Sequence, residues 1–521
     1  MYVNPTYVHH HTGESSTDGD YGEANSNVQR AAWLDSAAKH TGPRSEGTMQ
    51  QPQQSSRRAW LRDAGIVLAL LMAALALGLT LGRADPTGCS CAAEVEAVSA
   101  LRASEMQSLN ATLAAMRAEV DRLGRALEAA EATTAMQLAD VEDTATELCD
   151  ALLESKGLSA SMAVSQGIAT NGAYDMEAFA SDGVVYLAVA NFIDGGSSSY
   201  NVMSRIYRHS NVSGQFELSQ EIATSGAYDW EPFQLKGVTY LAVANHFNGT
   251  SYEVMSRIYR FSNTTSQFEQ LQEVATSGAT DWEAFVIEGT TYLAVANYWN
   301  DGKSRNIMSH IYRHSTTSGH FELMQEIPTI GAVDCEAFTL NGVVHLAVAN
   351  YYDGSNYNLM SRIYRYSTVS GQFELMQEVP TSGACDWEAF TMDGVNYLAV
   401  ANQLNTTNYN VDSRIYRYSL ASDQFEVLQE IATSGAVNWE AFAIDGTTYL
   451  AVANHQSGET AQRVNSRIYR HSFKSGRFEV VQEVETVGAL DWEALSLNGV
   501  TYLVVANFAI ESRIYTFDVP C

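Results

Sequence analysis

Hydrophobic residues follow three different rhythms along this chain of 521 residues. The first is unbroken. Ala64 to Gly82 reads AGIVLALLMAALALGLTLG, nineteen residues without a charge, long enough as a helix to cross about 30 Å of hydrocarbon. It predicts a transmembrane helix over 63–83. A signal peptide is the rival reading, but the usual apolar region of such a peptide is about 7 to 15 residues and lies at the N-terminus. The second rhythm steps by four and three through Leu109, Leu113, Met116, Val120, Leu123 and Leu127, then resumes out of register at Leu138, Val141, Ala145, Leu148 and Leu152. This is a coiled-coil seam with a slip that interrupts the supercoil. It predicts a stalk over 89–155. An amphipathic helix above a membrane needs a cover for its stripe, so a homo-oligomer of two or three chains is expected, with a helix packed on the following domain as the alternative.

The third rhythm is short and repeated. The phrase Gly-Ala-x-Asp/Asn-x-Glu opens at Gly172, Gly226, Gly278, Gly331, Gly383, Gly435 and Gly488, at steps of 52 to 54 residues. Seven copies at that period mean a β-propeller or a solenoid. Each copy holds four strand-like runs, in the second YDWEPFQL, TYLAVANH, VMSRIYRF and QFEQLQEV, separated by turn signals such as Lys236-Gly237 and Asn248-Gly249. Aromatic and β-branched residues dominate them, and no ten-residue helical pattern intervenes, which excludes helical solenoids. The last copy stops at SRIYTFDVPC without its fourth strand, whereas a stray fourth strand, SMAVSQGIAT, stands before the first copy at Ser161–Thr170. If that strand completes the seventh unit, the ring closes without a free edge. The expected fold is therefore all-β: a seven-bladed propeller of four-stranded blades over 161–521, closed by its N-terminal strand and preceded by a transmembrane helix and a coiled-coil stalk.

Composition adds orientation. Residues 1–62 are rich in Ser, Gly, Gln, Asn and His and read as a disordered cytosolic tail. Arg57, Arg58 and Arg62 precede the apolar segment, while Arg83 and then Asp85 follow it. That bias keeps the N-terminus in the cytosol, giving a single-pass type II protein of the plasma membrane with the propeller extracellular. The glycosylation sequons at Asn110, Asn211, Asn248, Asn263 and Asn405 all lie on the C-terminal side, in agreement. Within the tail, Tyr2, Asn4, Pro5 and Tyr7 of MYVNPTYV resemble endocytic and phosphotyrosine-domain ligands, against the alternative of an inert tail. A net charge of −30 disfavours nucleic acid and anionic membranes and favours cations or basic partners. Six cysteines are too few for a disulfide scaffold. Cys89 and Cys91 are candidate links between stalk chains; Cys335 and Cys385, near corresponding points of adjacent blades, are either a bond or core thiols.

Candidate chemistry sits in the repeated phrase. Strand alternation places Asp281 and Glu283 on one face and Trp282 on the other. Seven copies gather Asp175, Asp229, Asp281, Asp334, Asp386 and Asp491, with Asn438 in the seventh place, and the glutamates Glu177, Glu231, Glu283, Glu336, Glu388, Glu440 and Glu493. So many carboxylates around one axis require neutralisation. One resolution is a hard cation such as Ca²⁺, for which the candidate ligands are Asp175, Asp229, Asp281, Glu283, Asp334, Glu336, Asp386 and Asp491. The other pairs each glutamate with the arginine of its own SRIY strand, such as Arg205 or Arg257; the two are compatible. Trp230, Trp282, Trp387, Trp439 and Trp492 are expected as wedges between blades, because Met176 and Cys335 hold the same place elsewhere. Catalysis is not expected. The acids recur in every blade, and the exceptions Asn438, Cys335, His310 and His345 form no nucleophile and base arrangement.

The unit GAxDWEAFxxxGxxYLAVAN…SRIYRxSxxxxxFExxQEI resembles the EAR, or EPTP, repeat, over residues 161–521. That resemblance implies a seven-bladed propeller acting as an extracellular protein-interaction module, in adhesion or receptor-ligand roles, with a calcium ion in its channel. The expected function is a multivalent type II cell-surface protein that recognises other proteins. A glycan-binding lectin is the alternative, and a propeller hydrolase a more distant one.

Overall fold

A computed structural model describes residues 160–458, 462–472 and 474–519. The anticipated tail, transmembrane helix and stalk, with Tyr2, Asn4, Pro5, Tyr7, Cys89, Cys91 and Asn110, lie outside the described residues. Among the described residues no helix is long and apolar enough to cross a membrane; the elements there are strands, arranged as seven four-stranded antiparallel sheets. In six blades the strands follow in sequence order. The first runs Ala173–Ser181, Val184–Asn191, Asn201–His209 and Phe216–Ser225. The seventh takes Ala489–Leu497, Val500–Asn507 and Ser512–Asp518 from the C-terminal end and Ser161–Ile168 from the N-terminal end. Those last two pair antiparallel, Ser161 opposite Asp518 and Ile168 opposite Ser512. The ring closes as the split repeat requires.

Local sequence explains the blade. At each hairpin between first and second strands a pair such as Asp182-Gly183 takes two positive φ values, 48° and 77°, the turn whose twist matches the strands it joins. The second strand, YLAVAN in most copies, buries Leu187, Ala188, Val189 and Ala190 completely. Its alanines let blades converge toward the axis, where there is least room. The glycine opening each phrase has a positive φ, and in five of the seven copies a Cβ would also strike a backbone carbonyl. Gly226 has φ +54°, and a Cβ there would stand 2.6 Å from the carbonyl oxygen of Phe247.

Trp230, Trp282, Trp387, Trp439 and Trp492 are fully buried, and three of them identify what they face. Trp282 Nε1 donates to Val243 O, Trp439 to Val400 O and Trp492 to Val452 O, each at 3.2 Å and each on the preceding blade. They are wedges, as the alternation implies, and burying each is worth roughly 4 to 6 kcal/mol by area. Cys335 and Cys385 are buried and not disulfide-bonded. Burial, then Asp281, Asp334 and Glu283, push the Cys335 thiol well up, so it acts as a small core residue.

Candidate functional site

The innermost strands present the repeated acids, and their first task is visible in the hydrogen bonds. Asp175 Oδ2 accepts from Trp230 N at 2.9 Å, Asp229 from Trp282 N at 2.9 Å, Asp281 from Cys335 N at 2.9 Å and Asp334 from Trp387 N at 2.9 Å. Asp386 accepts from Trp439 N at 2.8 Å and Asn438 Oδ1 from Trp492 N at 3.0 Å; Asp491 closes the circle on Met176 N at 3.1 Å. Every member reaches the innermost strand of the next blade. A second tier lies two residues along: Glu231, Glu283, Glu336, Glu388, Glu440 and Glu493 accept from Ala284, Ala337, Ala389, Ala441, Ala494 and Ala178 amides at 2.9 to 3.2 Å. At the seventh junction the corresponding residue is Pro232, which has no N–H to donate. An innermost strand has a free edge toward the channel; the acids of its neighbour satisfy that edge.

This corrects the expected pairing of the inner glutamates with the SRIY arginines. Those arginines bind glutamates of the fourth strand: Arg205 with Glu221 and Arg257 with Glu273 at 3.1 Å, Arg362 with Glu378 at 3.2 Å, Arg414 with Glu430 and Arg467 with Glu483 at 3.0 Å. The reason is register. Arg205 stands directly opposite Glu221 across the hairpin, whereas Glu177 is two strands away.

The ring is electrostatically loaded. Burial, then Asp229, Asp334, Glu283 and Glu231, raise the Asp281 carboxyl well above the usual range. Burial and Asp334 do the same to Asp386, with Asp491 and Glu440 adding and the Trp439 amide opposing. Oδ1 of Asp281 and of Asp386 is buried and accepts no hydrogen bond. Asn438 keeps the inter-blade bond without a charge. Hard carboxylate oxygens suit calcium chemically, and such second oxygens are the atoms it would use. Among the described residues, however, no three or more His, Cys, Asp or Glu side chains converge as a metal-holding group.

The exceptions to the repeat have structural employment. His345 stacks on Phe338, ring centroids 5.4 Å apart, and Arg365 Nε donates to its Nε2 at 3.2 Å; burial holds its pKa down to about 4. His310 takes the arginine's place and faces Glu326 at 3.6 Å.

Two recurring groups carry more than their strand propensity suggests. The asparagine ending YLAVAN clamps three segments: Asn191 Oδ1 accepts from Asn171 N, its Nδ2 donates to Met203 O, and its amide donates to Ser204 Oγ. Ser204 and Thr224 hydroxyls then meet at 2.8 Å. The fourth-strand glutamine staples the outer wall: Gln220 binds both N and O of Phe268 on the next blade. Their signal in the sequence is recurrence at every copy and, for the asparagine, a polar residue closing an otherwise apolar strand.

The repeat varies most on one face, where second strands connect to third strands. The residue after YLAVAN is Phe192, His246, Tyr298, Tyr351, Gln403, His455 or Phe508. His246 lies buried on Tyr228 at 4.2 Å between centroids, and burial lowers its pKa to about 3. Outward from it runs a chain of contacts: Phe247 on Tyr252 at 4.5 Å, Tyr252 on Trp299 at 5.6 Å, and the Arg305 guanidinium over Trp299 at 3.4 Å. Sequons Asn248 and Asn405 lie in loops on this face, Asn211 and Asn263 in turns on the opposite one.

Fold and ring together define a closed seven-bladed propeller whose innermost strands are joined by carboxylates. The EPTP domain model matches seven times, at residues 163–210, 215–262, 267–315, 320–367, 372–419, 424–472 and 477–518, and the chain belongs to the EPTP-domain family. It is 36% identical over 301 residues to the human thrombospondin-type laminin G domain and EAR repeat-containing protein, covering 56% of this chain and 44% of that one. The mouse protein of that name matches at 35% over 291 residues, 55% of this chain and 43% of its own. Leucine-rich repeat LGI family member 3 of Macaca fascicularis is 25% identical over 288 residues, 54% of this chain and 46% of its own. The chain thus spans under half the length of these relatives.

Proposed function

We propose that this chain is a cell-surface recognition protein whose propeller binds other proteins. The observation that carries this reading is the division of labour within the repeat. The recurrent acids, tryptophans and asparagines are committed to holding blades together, and variation is greatest in the loops between second and third strands set on that rigid frame, where recognition residues are best placed. Membership of the EPTP family is consistent with a protein-interaction module. Presentation as a type II protein of the plasma membrane rests on Arg57, Arg58 and Arg62 before the apolar segment and the sequons after it. A stalk oligomer would add avidity to modest single-site affinities.

Calcium belongs to this proposal through the hard donors of the axial ring. A ligand at a hundredfold excess over its Kd stabilises by about 2.7 kcal/mol, so calcium should raise the unfolding temperature of the chain relative to chelator. No shift sinks that part. The recognition reading is tested by a peroxidase fused to the C-terminus of the full chain on intact cells, with a membrane-impermeant substrate. Labelled surface proteins are expected. Labelling only after permeabilisation, or of the fusion alone, overturns it.

A further inference from the structure

Sevenfold repetition fails on one continuous arc of the outer wall. The third strand begins with an exposed methionine in the first four blades, Met203, Met255, Met308 and Met360, each 42 to 46% exposed. The same position holds Asp412, Asn465 and Glu511 in the other three. Opposite the methionines on the fourth strand stand Ala223, Ala275, Pro328 and Pro380, all exposed. Opposite Asn465 stands Glu485. An arginine bridges neighbouring patches at two of the three junctions, Arg257 Nη1 reaching Ala223 O of the preceding blade at 3.1 Å and Arg362 Nη1 reaching Pro328 O at 2.8 Å. Nothing in blade geometry asks for methionine, because the blades that lack it fold alike. Exposed apolar residues gathered on consecutive repeats mark a contact surface, and methionine adapts its shape to what covers it.

The chemistry of the occupant follows from what frames the arc. The loop feeding each methionine strand carries an acid: Asp194, Glu253, Asp301 and Asp353. Hydroxyls of Ser197 and Ser251 hold Asp194 and Asp301 below the usual carboxylate range, so both are ionised at physiological pH. Along the wall the small apolar patches are separated by side-chain pairs within the protein, arginine with glutamate in the first, second and fourth blades and His310 with Glu326 in the third. Patches spaced in this way suit separate anchors along an extended segment better than one bulky side chain. We infer that the methionine arc of the first four blades docks an extended segment of a partner protein whose apolar side chains are flanked by lysine or arginine. The inference rests on the recognition reading above and names where it acts.

The test uses the full chain and a phage library displaying random 15-residue segments, a length of roughly 50 Å when extended. Wild type should enrich segments pairing apolar residues with Lys or Arg. The probe peptide from that pool should bind at least tenfold more weakly to the quadruple variant Met203→Asn, Met255→Asn, Met308→Asn, Met360→Asn. Asparagine is the residue already at this position in the sixth blade, so the variant should keep its unfolding temperature. Radical footprinting of the wild-type complex provides a second readout, in which the four methionines are protected. Peptides that bind the variant equally, or leave the methionines unprotected, overturn the arc while recognition elsewhere on the propeller stands. Failure to enrich any segment overturns the inference too, and the cell-surface labelling reports on recognition independently.

Discussion

Asp386 offers the sharpest test of what the axial acids do. Its Oδ2 accepts Trp439 N at 2.8 Å, and the side chain is fully buried. Asp386→Ala leaves that amide without its acceptor, a cost of about 1 to 3 kcal/mol, or a few degrees of Tm in a domain of this size. Asp386→Asn retains the acceptor, as Asn438 does at 3.0 Å, and removes a charge facing Asp334 and Asp491. In calcium-free buffer at pH 7 the asparagine variant should therefore be at least as stable as wild type. The pH dependence follows from the raised carboxyl. Its folded pKa exceeds the unfolded value of about 3.9, so between the two the folded chain holds the extra proton. Wild-type stability then falls as pH rises through the folded pKa, and the advantage of Asp386→Asn should grow in the same direction. Calorimetry of the three proteins in chelator from pH 4 to 8 measures it. Equal losses in Ala and Asn, or an Asn advantage that shrinks as pH rises, would refute the role of charge-burdened acceptor.

Other perturbations follow from the same packing. Trp282→Ala should cost about 3 to 5 kcal/mol by leaving a cavity against Val243, read as a lower denaturant midpoint with little change in slope. Deleting Ser161–Ile168 exposes the edge of Ser512–Asp518 and should produce concentration-dependent association beyond the wild-type state in size-exclusion chromatography; wild-type elution with wild-type stability would show that the strand does not close the ring. Gly226→Ala forces alanine into φ +54° against the Phe247 carbonyl. It should lower stability by about 1 to 2 kcal/mol from backbone conformation alone, measurable by urea unfolding. Cys335 and Cys385, buried, should resist a maleimide in native buffer and react once unfolded; rapid native labelling would contradict their burial.

The blade and its closure could be read in the sequence because period and alternation are global signals. A fourth strand missing at one end and spare at the other has one economical solution, and a two-residue alternation necessarily sends Asp281 and Trp282 to opposite sides. The partner of an acid is a finer matter. Charge alone suggested the SRIY arginines, yet antiparallel register pairs Arg205 with Glu221, and a bulge between Ile206 and Tyr207 lets both that pair and Arg208 opposite Glu217 form on one hairpin. The acceptor role of Asp281 was hidden because its donor, Cys335 N, is backbone and leaves no mark on residue identity. Pro232 is the one place where the second tier shows in sequence, by the N–H it lacks.

The clasps also locate where the ring is weakest. Six fourth-strand glutamines, Gln166 to Gln429, grip the phenylalanine of the next blade. At the remaining junction the next strand begins Ser161-Met162 instead of with phenylalanine, and Gln482 donates to Glu483 O within its own strand at 2.8 Å. Gly167 stands where other blades place the arginine's glutamate, and the Glu511 side chain occupies the space a Cβ would need. The closing strand is thus held by its ladder, its buried Ile168 and Gln166, but not by a grip from the sixth blade. Axial bonds are as complete there as elsewhere, for Trp492 still donates to Asn438 and Ala494 to Glu440. Opening should accordingly begin at the outer wall between the sixth and seventh blades and leave the axis intact. That is the expected pattern when the last blade is assembled from the two ends of the described chain and has one strand without a covalent link to its neighbours.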